Sequence, residues 1–377
     1  MLLNETQQAI QDSVRDFAQD RIRPKARDFE KAGGYPKELF EELATLGLMG
    51  MVVPEEMGGT GADTVSYAVS LIELAAADGP LSTIVSVQNS LVASGLVRSG
   101  TPAQRERFLP GLVSGKTIGA FALTEADAGS DAGAIRSRAT RQGNGYVLNG
   151  TKQFTSGGGV NDVYVVMVRT GADGPSGISC LVVDKDTPGF SFGAPERKLG
   201  WNASPTAQLI FADARVPVAN LVGREGEGFR FAMAGLDGGR LNIGACSLGG
   251  AQRCLDEAVG YVRERRQFGQ AIAQFQNTQF TLADMASELE AARALLYLAA
   301  AKVTASAPDK TVFCAMAKKL ATDTGSAVVD RALQLFGGYG YLRDYPIERF
   351  WRDLRVHRIL EGTNEVMRMI IGRDLLR

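Results

Sequence analysis

The spacing of apolar positions changes period twice along the chain. Over residues 1–117 they recur every three or four places, as on a helix with one buried face. Ile10, Val14 and Phe17 mark the first such face, with Asn4 and Gln7 placed as an N-cap and its partner and Pro24 as the stop or kink. Pro36 opens a second helix, with Leu39, Phe40 and Leu43 inward and Gly47 at its end. Pro54 to Gly61 reads as a loop. Helical runs follow over 65–77, 82–97 and 102–109, the last leaving through 110–115.

Over 118–225 the signal is that of strands. Ile118 to Leu123, Val163 to Val168 and Ile178 to Val183 are apolar runs bounded by turn residues, and Leu209-Ile210-Phe211 and Val216-Pro217-Val218 extend the pattern. Asn144-Gly145, between Thr140-Arg141 and Tyr146-Val147-Leu148, signals a hairpin. Over 226–377 longer helical periods return, through Leu282, Met285, Leu289, Ala292, Leu296 and Ala299, then Met316, Leu320, Ala327, Ala332 and Leu335. The expected fold class is α+β: an N-terminal helical domain (1–117), a middle antiparallel β-barrel or sandwich domain (118–225) and a C-terminal four-helix-bundle domain (226–377). Apolar stripes on two sides of the last helices point to a bundle that also packs on a second subunit; the plainer reading is a monomer.

Length and composition narrow the function. The 377 residues allow two or three domains, and 45% hydrophobic with 22% charged residues is ordinary for a globular protein. A net charge of −1 offers no basic excess to a nucleic acid. No apolar run is expected to reach the ~20 residues of a membrane span. Four cysteines without a Cys-x-x-Cys pair point to a reducing compartment, and His357, the single histidine, cannot build a histidine zinc site, so no metal is expected. The N-terminus lacks a basic leader or an Arg/Ser-rich transit pattern. The expected location is the cytoplasm of a bacterium, or the mitochondrial matrix after removal of a transit peptide.

Two polar stretches carry candidate chemistry. Glu361 lies between apolar Ile359-Leu360 and the turn Gly362-Thr363-Asn364, where another helix opens with Glu365 in its first turn; Thr363 or Asn364 can cap it. A carboxylate there suits a general base, and an ordinary loop glutamate is the bland alternative. Thr124 to Asp131 follows an apolar strand, and its backbone donors could cradle a ring edge or a phosphate. No strand-Gly-x-Gly-x-x-Gly-helix unit is present, so a dinucleotide must be held some other way.

Taken with Phe121 to Asp131, Arg265-Arg266-Gln267-Phe268-Gly269 and Leu335-Phe336-Gly337-Gly338-Tyr339-Gly340-Tyr341, in that order, the stretch Arg358 to Arg368 resembles the acyl-CoA dehydrogenase family of flavoenzymes over essentially the whole chain. The resemblance implies FAD as cofactor, an acyl-CoA substrate, electron transfer flavoprotein as acceptor, and a homotetramer built as a dimer of dimers. It places Phe121, Leu123, Thr124, Gly129 and Ser130 along the flavin, with Thr124 near N5 and Ser130 also at the substrate. Phe154, Thr155 and Ser156 match a second flavin segment, in which relatives commonly carry Trp and Thr where Phe154 and Ser156 stand. Arg265, Phe275 and Gln276 match contacts to the pyrophosphate and adenine end. Gln334, Leu335, Gly337 and Gly338 match a turn that reaches a neighbouring subunit's FAD, although a solvated Arg-Arg pair and a helix cap explain Arg265 and the glycines as well. Thr363, Asn364 and Glu365 match the flavin turn after the base.

Asp237, Gly238, Gly239, Arg240, Leu360, Glu361 and Gly362 are implied at the substrate. Some relatives carry the catalytic glutamate directly before this arginine and glycine where Glu361 stands; here Gly239 fills the first slot, so the base falls on Glu361. The resemblance implies two donors to the thioester oxygen, the Glu361 amide and a ribityl hydroxyl of FAD. Within the family, 238–243, 246–249, 280–286 and Leu360 most resemble the isobutyryl-CoA branch of valine breakdown, whereas Asp237 is shared with straight-chain relatives. Straight-chain or 2-methylbutyryl-CoA dehydrogenation, an oxidase, and a non-catalytic scaffold of the same fold are the alternatives.

Overall fold

The computed structural model describes residues 2–377. The N-terminal part is helical: α1 (Glu5–Phe17), α2 (Ala26–Ala32), α3 (Lys37–Thr45), α4 (Thr64–Ala77), α5 (Gly79–Val87), α6 (Ser94–Ser99) and α7 (Pro102–Val113). Asn4 and Gln7 form the expected capping box. The α7 helix outruns its expected end and contains Pro110. Pro110 and Glu106 are both exposed, so solvent can serve the carbonyl that the missing N–H leaves free.

Between α5 and α6 the chain makes a π turn, Gln88–Ala93. Side chains take over the displaced backbone bonds: Asn89 Nδ2 donates to Val85 O at 3.0 Å and Ser90 Oγ to Ser86 O at 2.7 Å. Contrary to the sequence expectation, the helical run Gly79–Ser99 is long and apolar enough, by length and composition, to cross a membrane. Most of it is buried inside the protein, which accounts for its apolarity.

The middle part is an eight-stranded sheet: β1 (Gly119–Ala122), β2 (Arg138–Gln142), β3 (Gly145–Ser156), β4 (Val163–Arg169), β5 (Ile178–Asp184), β6 (Phe190–Phe192), β7 (Thr206–Pro217) and β8 (Leu221–Val222). Its order is β6-β7-β3-β2-β4-β5-β8, with β1 on β4. The sheet is mixed rather than wholly antiparallel, because β1 and β2 both run parallel to β4. The hairpin is where expected, but Gln142 pairs with Gly145, so its loop is Gly143-Asn144. Gly143 supplies the positive φ of 58° at the first loop position, the backbone a tight hairpin requires.

The C-terminal part comprises α8 (Gly228–Glu264), α9 (Gln276–Thr304), α10 (Lys310–Phe336), α11 (Ile347–Leu354) and α12 (Asn364–Leu375). Between α8 and α9, β9 (Arg266–Gln267) and β10 (Gln270–Ala271) form a small hairpin. The α8 helix packs on α9, α10 and α4, and the two helical parts share one apolar core. Nearly every α4 side chain is buried, so this helix has no solvent face and must be covered by C-terminal elements. The buried stripe of α10 runs through Cys314, Ala317, Ala321, Val328 and Ala332; Met316, Leu320 and Leu335 are half-buried and Ala327 is exposed. All four cysteines are buried and unpaired.

Candidate active site

A cleft of about 1280 Å³ opens where the sheet meets α5, α8 and the turn before α12. One wall is the loop after β1. Lys152 on β3, fully buried, donates to Leu123 O at 3.0 Å and to Glu125 Oε1 at 2.7 Å. The Glu125 carboxylate also accepts from the amides of Arg136 (2.6 Å) and Ser137 (2.9 Å). Thr124 is held between these fixed residues, and its carbonyl accepts from Gln153 N at 2.8 Å. Ion pairing and amide bonds outweigh burial here and hold the Glu125 carboxyl below the usual range.

Phe154 is a large apolar side chain left exposed in this wall. It has a φ of 55°, and 62% of its surface is open. An aromatic ring held over a cleft by a left-handed backbone provides a flat apolar face. Beside it, Thr155 Oγ1 is buried without a hydrogen-bond partner. Both features fit a flat heteroaromatic ring with polar edges.

The opposite wall carries Glu361. Thr363 caps α12 by accepting from Val366 N at 3.2 Å, which settles the choice between the two expected caps. Glu361, two residues ahead, has a φ of 51°, an uncommon backbone for a non-glycine residue. Its side chain borders the cleft, and Oε2 is shielded with no hydrogen-bond partner. Burial raises the Glu361 carboxyl to about 7, against the pull of the Lys318 and Arg240 cations. A Cβ added to Gly239 on α8 would collide with Glu361 Oε2, so the two alternative base positions exclude one another physically. Apolar Ile84, Val87, Leu91, Met233 and Leu236 line the same cleft.

Of the residues singled out from the sequence, Phe121, Leu123, Thr124, Gly129, Ser130, Phe154, Ser156, Arg240, Leu360, Glu361, Gly362 and Thr363 line this one cleft. Gly238 and Gly239 lie next to it on α8, the first beside Ser90 and the second beside Glu361. Asp237 accepts from Arg240 Nη1 at 2.8 Å and from Thr311 Oγ1 at 2.7 Å. The side chain of Asn364, implied at the flavin, points inward. Its Oδ1 accepts from Lys318 Nζ (3.0 Å) and Thr322 Oγ1 (3.2 Å), and its Nδ2 donates to Asp323 Oδ1 at 2.9 Å. Glu365 is exposed and pairs with Arg368 at 2.9 Å. Nothing in the motifs marks Lys318; the one signal is a lysine at helical spacing within the buried stripe of α10.

Arg265, Phe275, Gln276, Gln334, Leu335, Gly337 and Gly338 do not line the cleft within one chain. They cluster where α8 and α10 end and α9 begins, with the Arg265 guanidinium 5.4 Å from the Tyr339 ring centre.

Three family models match the chain: the acyl-CoA dehydrogenase N-terminal domain over residues 4–116, the middle domain over 120–214 and the C-terminal domain over 226–376. The chain belongs to the acyl-CoA dehydrogenase family. It is similar to the mitochondrial isobutyryl-CoA dehydrogenase of Dictyostelium discoideum, 52% identical over 99% of this chain and 90% of that one. Its fold matches butyryl-CoA dehydrogenase from Megasphaera elsdenii with a TM-score of 0.96 and 41% identity, covering 100% of both chains. It also matches a chain from a structural study of the electron transferring flavoprotein of Acidaminococcus fermentans, with a TM-score of 0.97 and 42% identity, covering 100% of this chain and 99% of that one. This acyl-CoA dehydrogenase is thus an FAD enzyme, and the Phe154 wall of the cleft fits the flavin ring.

Proposed function

We propose that the enzyme desaturates a short, α-branched acyl-CoA, isobutyryl-CoA to methacrylyl-CoA, with Glu361 as the base. The observation that carries this reading is the unpartnered Glu361 Oε2 in the cleft that Thr124, Phe154 and a set of apolar side chains also line. FAD, when bound, supplies the two-electron acceptor for the β-hydrogen. Glu361 takes the α-proton. Its backbone N–H bonds no protein acceptor among the described residues and is free to donate to the thioester oxygen as charge develops there. Thr124, Phe154, Thr155 and Ser156 hold the ring, with Gly129 and Ser130 at its edge. Leu360, with no bulk beyond an isobutyl group, leaves lateral room for the α-methyl branch.

Arg265, Phe275, Gln276 and the Gln334–Gly338 turn lie outside the cleft, which supports a homotetramer in which another subunit's copy of these residues completes the FAD site. The likeness to the Acidaminococcus chain supports electron transfer flavoprotein as the acceptor. The straight-chain alternative draws on the butyryl-CoA likeness and on Asp237.

Two outcomes test this reading. Isobutyryl-CoA should bleach the flavin anaerobically faster than butyryl-CoA, by about 10-fold, because one methyl group in an apolar pocket is worth ~1–3 kcal/mol; equal or slower bleaching selects the straight-chain alternative. The base works only when ionised, so kcat/KM should fall as pH drops through the Glu361 value of about 7. A profile flat down to pH 5 would remove Glu361 from the base role.

A further inference from the structure

We infer that Lys318 is a positioning residue for the reaction: its ammonium fixes the turn that carries Glu361 and sets a positive charge beside that turn. The inference rests on the reading of Glu361 as the base.

Lys318 lies on α10 with its side chain fully buried. Nζ donates to Gly362 O at 2.8 Å and to Asn364 Oδ1 at 3.0 Å. These bonds grip the chain directly after Glu361 and the first residue of α12. The left-handed backbone lies at the first of these residues and just before it, with φ of 90° at Gly362 and 51° at Glu361. A left-handed glutamate persists only where its surroundings over-determine it, and Lys318 is the polar anchor that does so from beneath.

Packing alone does not call for a charge here. A buried ammonium is costly without a partner, and an apolar side chain of similar length would fill the same space at less cost. Among the described residues Lys318 forms no ion pair. The nearest fixed acid on its own helix, Asp323, is already shared by Lys319 (3.4 Å), Arg368 (3.7 Å) and Arg358 (3.9 Å) and accepts from Asn364. Glu365 faces outward to Arg368. On the α8 side, Arg240 pairs with Asp237 at 2.8 Å and is the second cation that pulls on Glu361. Tyr67 on α4 and Cys246 on α8 also face Glu361, and burial keeps both neutral by raising them. His357, beyond Lys318, is held uncharged by burial and by that cation. Lys318, with no ion-pair partner of its own among the described residues, therefore acts on Glu361 ahead of Arg240. Burial in turn lowers Lys318 to about 8, with Glu361 opposing that fall.

The test compares holoenzymes of wild type, Lys318→Met, Lys318→Gln and Lys318→Arg, with Glu361→Gln alongside. Flavin content and melting temperature report folding; kcat/KM against pH reports the cation. Lys318→Met should move the acid limb upward by about one pH unit, the scale of one nearby opposite charge, and lower kcat. Lys318→Gln, which keeps donors for Gly362 O and drops the charge, should move the limb equally, and serves if the Met variant does not fold. Lys318→Arg should restore the wild-type limb. A flavin-loaded Met or Gln variant with an unmoved limb overturns the inference. Wild-type turnover in Glu361→Gln would instead overturn the base assignment.

Discussion

Glu361→Gln is expected to fold, bind FAD and lose turnover by about 10³-fold or more, the range ascribed to a positioned base. The amide has the shape of the carboxylate but takes no proton. Among the described residues Oε2 has no hydrogen-bond partner, so the substitution breaks no hydrogen-bond network, and Lys318 keeps its bonds to Gly362 O and Asn364 Oδ1. The substitution removes a carboxylate that burial makes costly to ionise and, with it, the charge that supports the buried Lys318 ammonium, so the melting temperature should change little. Steady-state rates with an artificial acceptor, alongside flavin content, measure both. Turnover near wild type would move the base elsewhere.

Gly239→Ala should have the second largest effect. Its new methyl occupies the space of Glu361 Oε2, so the carboxylate must swing away. A displacement of about 1 Å at a reacting group can cost 10²-fold. Gly239 lies within α8, where alanine is the better helix former by roughly 0.5–1 kcal/mol. Lost activity with an unchanged melting temperature would therefore mark a misplaced base. An active Gly239→Ala enzyme would show that the carboxylate works from another rotamer.

The elements that follow from local pattern were legible in the sequence. Asn4 and Gln7 announce their capping box, and Pro36 and Gly47 bracket α3 as read. Features set by long-range pairing were not. The parallel neighbours of β4 come from strands far away in sequence, and no local period records them. The one-residue shift in the hairpin loop arose because Gly143 competes with Gly145 for the left-handed position. At the site, the motif around Glu361 marks the turn that borders the cleft, but it does not show where the Asn364 side chain goes. Its amide bonds Lys318, Thr322 and Asp323, and those partners lie some forty residues upstream. Lys318 itself was invisible for the same reason: a buried lysine acquires meaning only from what its ammonium meets across the fold.

The most direct measurement is the rate of anaerobic flavin bleaching with isobutyryl-CoA carrying hydrogen or deuterium at the α-carbon. With wild-type enzyme the deuterated compound should bleach several-fold more slowly, and with Glu361→Gln neither should bleach on that timescale. Equal rates for the two isotopes, or bleaching of the variant at the wild-type rate, would contradict proton removal by Glu361.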